Sequence, residues 1–481
     1  MDIFGFPEPV VGLDFCNVTI AYTHLGWGDT VNVISYLPLV ENWNTKFAAN
    51  GGGGFMTGGE EMALFTMVPA LVDGFAVSTT DGGHRISVQE GMALTSTWAH
   101  SSPGNVNWPL LVDFAHVALH DMATIGKAVT EAFYQVAPRY SYFFGGSTGG
   151  RQGYQLAQRY LKDFDGILAL FPAINWAKFL FSNIWPVFVM NQMNAYPPKC
   201  QFDAIREAAI AACDELDGFK DGIISRPGLC RFDPHTVVGR SFHCNDIKST
   251  ISSEAATIAR AAWDGPRSSS GEFQWYGFGM DADLTEPLGG PIHTSCNSAG
   301  VCSASPFVIS DVWARYWVLK QPDFEMTKLT HEEWDDIFRG SVNEYESVIG
   351  TSDPDLARFR NAGGKMITWH GTGDAAIPSN GSSDYYDRVL HLDPNAQDYY
   401  RLFMIPGSTH AIMNQIVPSR DTMFKAIQDW VEKGVAPDTM PSEGPSPKSP
   451  NVRIKRDFCM YPRVQHYQGG DGTKADSFIC V

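Results

Sequence analysis

The stretch Tyr142-Phe143-Phe144-Gly145-Gly146-Ser147-Thr148-Gly149-Gly150-Arg151-Gln152 decides the fold. A β-prone apolar run leads into it, and the helix-prone Tyr154-Gln155-Leu156-Ala157 leads out. Gly-x-Ser-x-Gly between a strand and a helix is the pattern of a nucleophile elbow, a sharp turn that lifts a serine hydroxyl above a sheet edge. Glycine suits the strained turn, because Cβ atoms two residues either side of Ser147 would block the approach of strand and helix. The bland alternative is an ordinary glycine turn, in a chain that carries 46 glycines.

Outward from the elbow, strand and helix signals alternate. Val31 to Pro38, Lys46 to Ala49, Gly74 to Thr79 and Gly166 to Phe171 read as strands. Asp113 to Tyr134 has helical periodicity, with Phe114, Val117, Ala118, Met122, Ile125 and Val129 on one side. The alternation stops over residues 176–350, which are rich in tryptophan, cysteine and glycine. It resumes with a strand at Lys365 to His370, a helix around Asp384 to Leu390, a strand at Tyr400 to Ile405 and a helix at Thr422 to Lys433. This predicts an α/β-hydrolase core, a mostly parallel sheet with helices on both faces. The core comprises residues 1–175 and 351–481 and is interrupted by an inserted lid domain, residues 176–350. Pro441 to Pro450 reads as a Pro/Ser-rich linker.

A serine hydroxyl needs a base within hydrogen-bond reach, and the base needs an orienting carboxylate. In α/β-hydrolases these follow in the order Ser, acid, His. Asp374 ends the loop after the strand at Lys365, and His410 ends the loop after the strand at Tyr400. Each position is the C-terminal edge of a strand, where such sheets place their chemistry. Asp384, Asp387 and the other histidines are weaker competitors. The four glycines Gly51 to Gly54 follow the second strand and read as the source of an oxyanion-hole N–H, assigned to Gly52 and paired with the N–H of Thr148. A flexible loop is the bland alternative there.

In the insertion, Cys213-Asp214-Glu215-Leu216-Asp217-Gly218-Phe219-Lys220-Asp221-Gly222-Ile223 spaces three aspartates among glycines. Hard carboxylate oxygens on a tight loop suit Ca²⁺, with the carbonyls of Phe219 and Ile223 completing the shell. EF-hand spacing is absent, and the competing reading is a solvated acidic turn. No organic cofactor is expected.

The chain has 481 residues, 44% hydrophobic and 18% charged, with a formal net charge of −18. That balance disfavours nucleic acid and anionic membrane surfaces as partners. No run suits a membrane span, and Met1 to Pro7 has no signal-peptide pattern. The nine cysteines argue for an oxidising compartment, with close local pairs Cys213/Cys230, Cys296/Cys302 and Cys459/Cys480. Sequons at Asn17 and Asn380 agree. The expectation is a secreted protein lacking its leader in this chain, with an intracellular enzyme as the alternative.

Several motifs in order then carry a resemblance. They are Asn50 to Gly54, Ser78 to His84, Gly146 to Gly153, Asp165-Gly166-Ile167, Pro172 to Trp176, Cys213 to Gly218 with Asp221-Gly222, His370-Gly371 with Asp374, and Pro406-Gly407 with His410. Together they resemble the tannase and feruloyl esterase family from about Cys16 to Cys480. The resemblance implies an α/β-hydrolase core, a calcium-bearing lid and hydrolysis of esters of aromatic acids. It implies Ser147, Asp374 and His410 as the triad, with Asp214, Asp217, Phe219, Asp221 and Ile223 around calcium. Two departures stand out. The family's cysteines before the nucleophile and after the histidine are Gly146 and Ala411 here. The segment that normally pairs with Cys16 is also missing, which would explain the odd count. Cys200 and Cys244 remain as a further candidate pair, which their spacing leaves open.

The first functional reading is a serine carboxylic ester hydrolase for hydroxycinnamic or galloyl-type esters, a small-molecule substrate. An acyltransferase or other tailoring enzyme with the same triad is the alternative. A non-catalytic binding protein is disfavoured by the intact triad. Trp313, Tyr316 and Trp317 read equally as ring-stacking residues or as lid core.

Overall fold

The computed structural model describes residues 10–86, 93–244, 246–287, 289–410 and 415–481. Eight strands form the central sheet: β1 (Phe15–Tyr22), β2 (Val31–Pro38), β3 (Lys46–Asn50), β4 (Ala76–Thr80), β5 (Tyr140–Gly146), β6 (Gly166–Leu170), β7 (Lys365–Gly371) and β8 (Tyr400–Ile405). Their spatial order is β1-β2-β4-β3-β5-β6-β7-β8. β1 pairs with β2, and β2 with β4, in antiparallel sense; β4, β3, β5, β6, β7 and β8 are parallel.

The parallel strands are buried on both faces, as their near-continuous apolar runs require. In β5, Tyr142 and Phe144 enter one core cluster while Phe143 enters the other. Strand residues alternate faces, so adjacent aromatics separate cleanly. One face is covered by helices α3 (Val117–Tyr134), α4 (Thr148–Arg159) and Asn380–Leu392, through Leu119, Met122, Tyr154, Leu156, Tyr386 and Val389. The opposite face is covered by α1 (Glu60–Val72) and Arg420–Lys433, through Met67, Leu71, Phe424, Ile427 and Trp430. β1 is different: at the sheet's edge its residues are exposed or half-buried.

The periodic stretch from Asp113 is two helices rather than one. α2 (Trp108–Ala115) and α3 are separated by His116, at φ −163°. The physical reason is Arg151, whose guanidinium donates to the carbonyls of Phe114 at 3.1 Å and Ala115 at 2.9 Å. Those carbonyls are among the unpaired acceptors at a helix C-terminus.

The Pro/Ser-rich stretch is not a free linker either. Thr439–Pro445 is a strand paired antiparallel with Arg453–Cys459. Met440, Ser442 and Gly444 point inward in strict alternation. The two strands form their own ladder, whose prolines occupy edge positions where a missing N–H is tolerated.

Between β6 and β7 the chain leaves the sheet and builds a helical unit that includes Trp176–Met193, Lys199–Cys213, Ser253–Asp264 and His331–Tyr345. The last is started by a capping box, in which Thr330 and Glu333 each bond the other's backbone N–H. Trp313 and Trp317 are fully buried, so of the two readings open for them the core reading holds. Trp317 stacks on Phe55 of the glycine loop at 4.7 Å between ring centroids. Disulfides join Cys200–Cys244, Cys213–Cys230, Cys296–Cys302 and Cys459–Cys480, while Cys16 is unpaired and exposed.

The elbow's tightness yields a direct test. A Cβ on Gly145 would lie 2.5 Å from the Gly149 carbonyl group, with only backbone to yield. Gly145→Ala is expected to cost about 1–3 kcal/mol, read as a lowered thermal midpoint. Gly228→Ala, where a Cβ meets nothing within 4 Å, is expected to stay within about 0.5 kcal/mol of the parent.

Candidate active site

Three loops converge at the C-terminal edge of β5, β7 and β8. Ser147 occupies the turn between β5 and α4 with φ +58° and ψ −121°, backbone that an L-residue adopts only when its surroundings enforce it. They do so here: the Ser147 N–H donates to the Leu170 carbonyl at 3.1 Å, and its carbonyl accepts the N–H groups of Arg151 and Ala173 at 3.0 Å each. The side chain is half-buried and open to solvent.

The Ser147 Oγ lies 3.1 Å from His410 Nε2, and His410 Nδ1 lies 2.8 Å from Asp374 Oδ2. A carboxylate only accepts, so Nδ1 carries the proton and Nε2 is left to accept from the serine hydroxyl. The acid and base loops are tied together: Gly373 N–H donates to the Ser408 carbonyl and Gly407 N–H to Thr372 Oγ1, both at 3.0 Å. Ser147, Asp374 and His410, far apart in sequence, are thus brought into one hydrogen-bonded chain.

Asp374 is fully buried. Its Oδ1 accepts the N–H groups of Ala376 and Ile377 at 2.8 Å each. Its Oδ2 accepts from His410 and, at 3.2 Å, from His370 Nε2. Burial opposes the charge, but the His410 charge and the two imidazole hydrogen bonds outweigh it and hold the carboxyl below the usual range. His410 shows the converse. Burial pulls its pKa down, yet the Asp374 charge and hydrogen bond raise it above the ordinary 6.5.

The glycine loop corrects one assignment. The Gly52 N–H is spent on Gln152 Oε1 at 3.1 Å, and its carbonyl accepts from Gly149 N–H at 3.0 Å. Gly52 therefore braces the loop against α4 and has no free donor. A Cβ there would fall 2.1 Å from the Met56 carbonyl oxygen, which explains the glycine. The neighbouring Gly53 is half-buried, and its N–H has no partner among the described residues. The N–H of Thr148, in the first turn of α4, is likewise unengaged among them, and its Oγ1 donates to the Gly54 carbonyl at 2.6 Å.

The aspartate loop is held by Asp214, whose Oδ1 accepts the N–H groups of Asp221 at 2.9 Å and Gly222 at 2.8 Å. Its Oδ2 pairs with Lys448 at 2.8 Å, and Asp221 Oδ2 pairs with Arg456 at 2.7 Å. Asp217 Oδ1 accepts the Phe219 N–H at 3.0 Å. Asp217 Oδ2 and Asp221 Oδ1 are buried without a hydrogen-bond partner among the described residues. Burial pushes the Asp221 carboxyl up to about 6. Orphaned, buried carboxylate oxygens are ligands that a hard cation would satisfy, although Asp214, Asp217 and Asp221 do not bring one oxygen each within 4.8 Å of one another in this structure. The Ile223 carbonyl already accepts from Ser225 N–H at 3.1 Å and keeps one lone pair for a metal. Ile223 also reaches the catalytic loops, because a Cβ on Gly407 would sit 3.2 Å from its side chain.

Sequence reasoning missed four contributors. His370 bridges Asp374 and Ser382 Oγ, the latter at 2.8 Å, which fixes its tautomer. Gln152 ties Gly52 to the Thr57 carbonyl, which it donates to at 2.9 Å. Phe171 packs its ring edge on His410 at 5.0 Å and fills the space above Gly146, where a Cβ would lie 2.6 Å from the ring. Ala411, the partner position of Gly146, lies outside the described residues. Glu286, from the insertion, has its carboxyl pushed up by burial first and by the Asp374 charge second. No spacing rule marks any of these, although His370 and Gln152 stood inside quoted motifs.

A family model described as tannase and feruloyl esterase matches residues 16–481. A probable feruloyl esterase of Arthroderma benhamiae is 39% identical, covering 100% of this chain and 89% of that protein. A tannase of Aspergillus oryzae is 27% identical, covering 97% and 85% respectively. The solved tannin acyl hydrolase from Aspergillus niger superposes with a TM-score of 0.85 at 27% identity, over 100% of this chain and 88% of that one. Feruloyl esterase B from Aspergillus oryzae gives a TM-score of 0.81 at 25% identity, over 98% and 92%.

The electrostatics predict a downward shift of His410 when the Asp374 charge is removed. The His410 imidazole, followed by NMR, is expected to titrate above 6.5 in the parent protein. In Asp374→Asn burial is opposed by the Glu286 charge alone, and titration is expected to move below that of the parent. An unchanged midpoint would remove the Asp374 charge as the cause.

Proposed function

This chain belongs to the tannase and feruloyl esterase family, and on that premise we propose how its residues hydrolyse carboxylic esters of aromatic acids. The reading is carried by one observation, the continuous relay from Asp374 through His410 to Ser147 at 2.8 and 3.1 Å. Ser147 Oγ attacks the ester carbonyl while His410 Nε2 takes its proton. Asp374 holds the imidazole in the required tautomer and stabilises the imidazolium. The N–H groups of Thr148 and Gly53 take up the oxyanion. Collapse of the tetrahedral intermediate breaks the ester C–O bond, and His410 returns its proton to the leaving alcohol. Water then attacks the acyl-enzyme, His410 accepts a water proton, and the acid leaves as Ser147 regains its hydrogen.

The acyl groups proposed are of the hydroxycinnamic and galloyl kinds, supported by the relatives named above. Acyl transfer in place of hydrolysis is not favoured, since those relatives are named as hydrolases. Residues 176–350 serve as a lid: Asn183 donates to the Ala376 carbonyl at 2.8 Å beside the Asp374 loop, and Glu286 adds a negative charge near the triad. Asp214, Asp217 and Asp221, with the carbonyls of Phe219 and Ile223, would hold a calcium ion. That ion would rigidify the loop behind Gly407 and take no part in bond making. The four disulfides, with Asn17 and Asn380 both exposed, support secretion. No described helix is long and apolar enough to cross a membrane.

Turnover of methyl ferulate, methyl caffeate and a galloyl ester tests the reaction. Ser147→Ala is expected to lower kcat by about 10⁶, and an unaffected rate would end the serine mechanism. For the parent, kcat/KM is expected to fall as pH drops through the raised His410 value, because a protonated base cannot accept. The calcium assignment has its own readout. Elemental analysis is expected to find bound calcium, and chelation to lower the melting temperature. No metal and an unshifted melt would remove it.

A further inference from the structure

A second polar cluster lies outside the triad and the aspartate loop, where the β1–β2 turn meets α2 and α3. His24 and Asp29 come from the turn, Asp113 from α2 and Asp121 from α3. His24 Nδ1 lies 2.5 Å from Asp29 Oδ2 and 3.7 Å from Asp113 Oδ1. One ligand atom from each of these three residues lies within 4.8 Å of the other two.

The burial makes this more than an acidic patch. The side chains of Asp29 and Asp113 are fully buried, while that of His24 is 23% exposed. Asp29 Oδ1 is spent on Thr23 Oγ1 and the His24 N–H, both at 2.9 Å, leaving Oδ2 on the His24 side. Both Asp113 carboxylate oxygens have no hydrogen-bond partner among the described residues. A buried carboxylate without donors is costly, and such a group ordinarily pairs, protonates or binds a cation. Arg151, the buried cation nearest in sequence to the elbow, is committed to the Phe114 and Ala115 carbonyls.

The far side of the imidazole is already oriented. His24 Nε2 lies 2.9 Å from Asp121 Oδ2, which also accepts from Tyr22 Oη at 2.8 Å. A carboxylate on one ring nitrogen that leaves the other to a metal is the usual arrangement behind a histidine ligand. We infer that His24, Asp29 and Asp113 form a binding site for a divalent transition metal ion, with Asp121 as the residue that positions His24. One imidazole and two carboxylates suit zinc better than calcium, which takes oxygen ligands alone. Binding replaces the proton on His24 Nδ1, and any proton held by Asp113, by the metal. Affinity therefore rises with pH and protons are released. The ion clamps the sheet-edge turn to α2 and α3, and α2 in turn carries the carbonyls that hold Arg151. This site is independent of the esterase reading.

The test is zinc binding to the full chain after chelator treatment, by titration calorimetry and elemental analysis, with calcium added in excess. One zinc equivalent is expected to bind with proton release and to raise the melting temperature. His24→Ala and Asp113→Asn are each expected to weaken it at least tenfold, and Asp121→Asn by about 10–100-fold. Asp217→Asn is expected to leave it unchanged. Asp113→Asn removes an unsatisfied buried carboxyl, so without metal it is expected to melt no lower than the parent, which separates lost binding from lost folding. Asp121→Asn touches only a partly exposed outer residue and supplies a second folded variant. No zinc bound by the folded parent, or equal binding by parent, His24→Ala and Asp113→Asn, would overturn the site. Displacement of zinc by calcium would overturn the metal class.

Discussion

The left-handed backbone at Ser147 is the constraint on which the rest depends. It holds only because strand β5 and helix α4 nearly touch, with glycine at 145 and 149 where any side chain would meet backbone. That approach aims the serine hydroxyl out of the sheet and leaves the first N–H groups of α4 free of intrahelical partners. The glycine loop then closes on the same helix through Gly52, Gln152 and Gly149. One steric condition thus governs both the nucleophile and the loop proposed to supply the oxyanion donors.

Around this turn, the molecule spends buried polar groups in two ways. Asp374 is satisfied on both oxygens by backbone N–H groups and imidazoles, and Arg151 is committed to two structural carbonyls. Such groups fix geometry, because moving them leaves a charge without a donor or acceptor. The aspartate loop and the His24 cluster are different. Each retains carboxylate oxygens with no described protein partner, and an unpaired buried carboxylate is stable only once protonated or bound to a cation. Both lie against elements that support the catalytic loops, Gly407 in one case and α2 in the other.

The glycine at 146 has a local packing reason. The ring of Phe171 occupies the volume that a side chain at 146 would need and rests its edge against His410. Packing of an aromatic ring therefore restrains the histidine on that side.

The sequence by itself determined the sheet grammar, the elbow, the order Ser147, Asp374, His410 and the local cysteine pairs. These follow from short-range rules: apolar periodicity, glycine at a strained turn, and loops placed after strands. What tertiary structure alone decided was long-range. The break at His116 depends on Arg151, a residue 35 positions away by the numbering. The strand at Thr439–Pro445 depends on a partner that overrides its proline content. That Gly52 has no free N–H turns on a single side-chain acceptor, Gln152, and burial made Trp313 and Trp317 core residues. Glu286 and the His24 cluster have no sequence signature, because their chemistry arises only when separate elements fold against one another and exclude water.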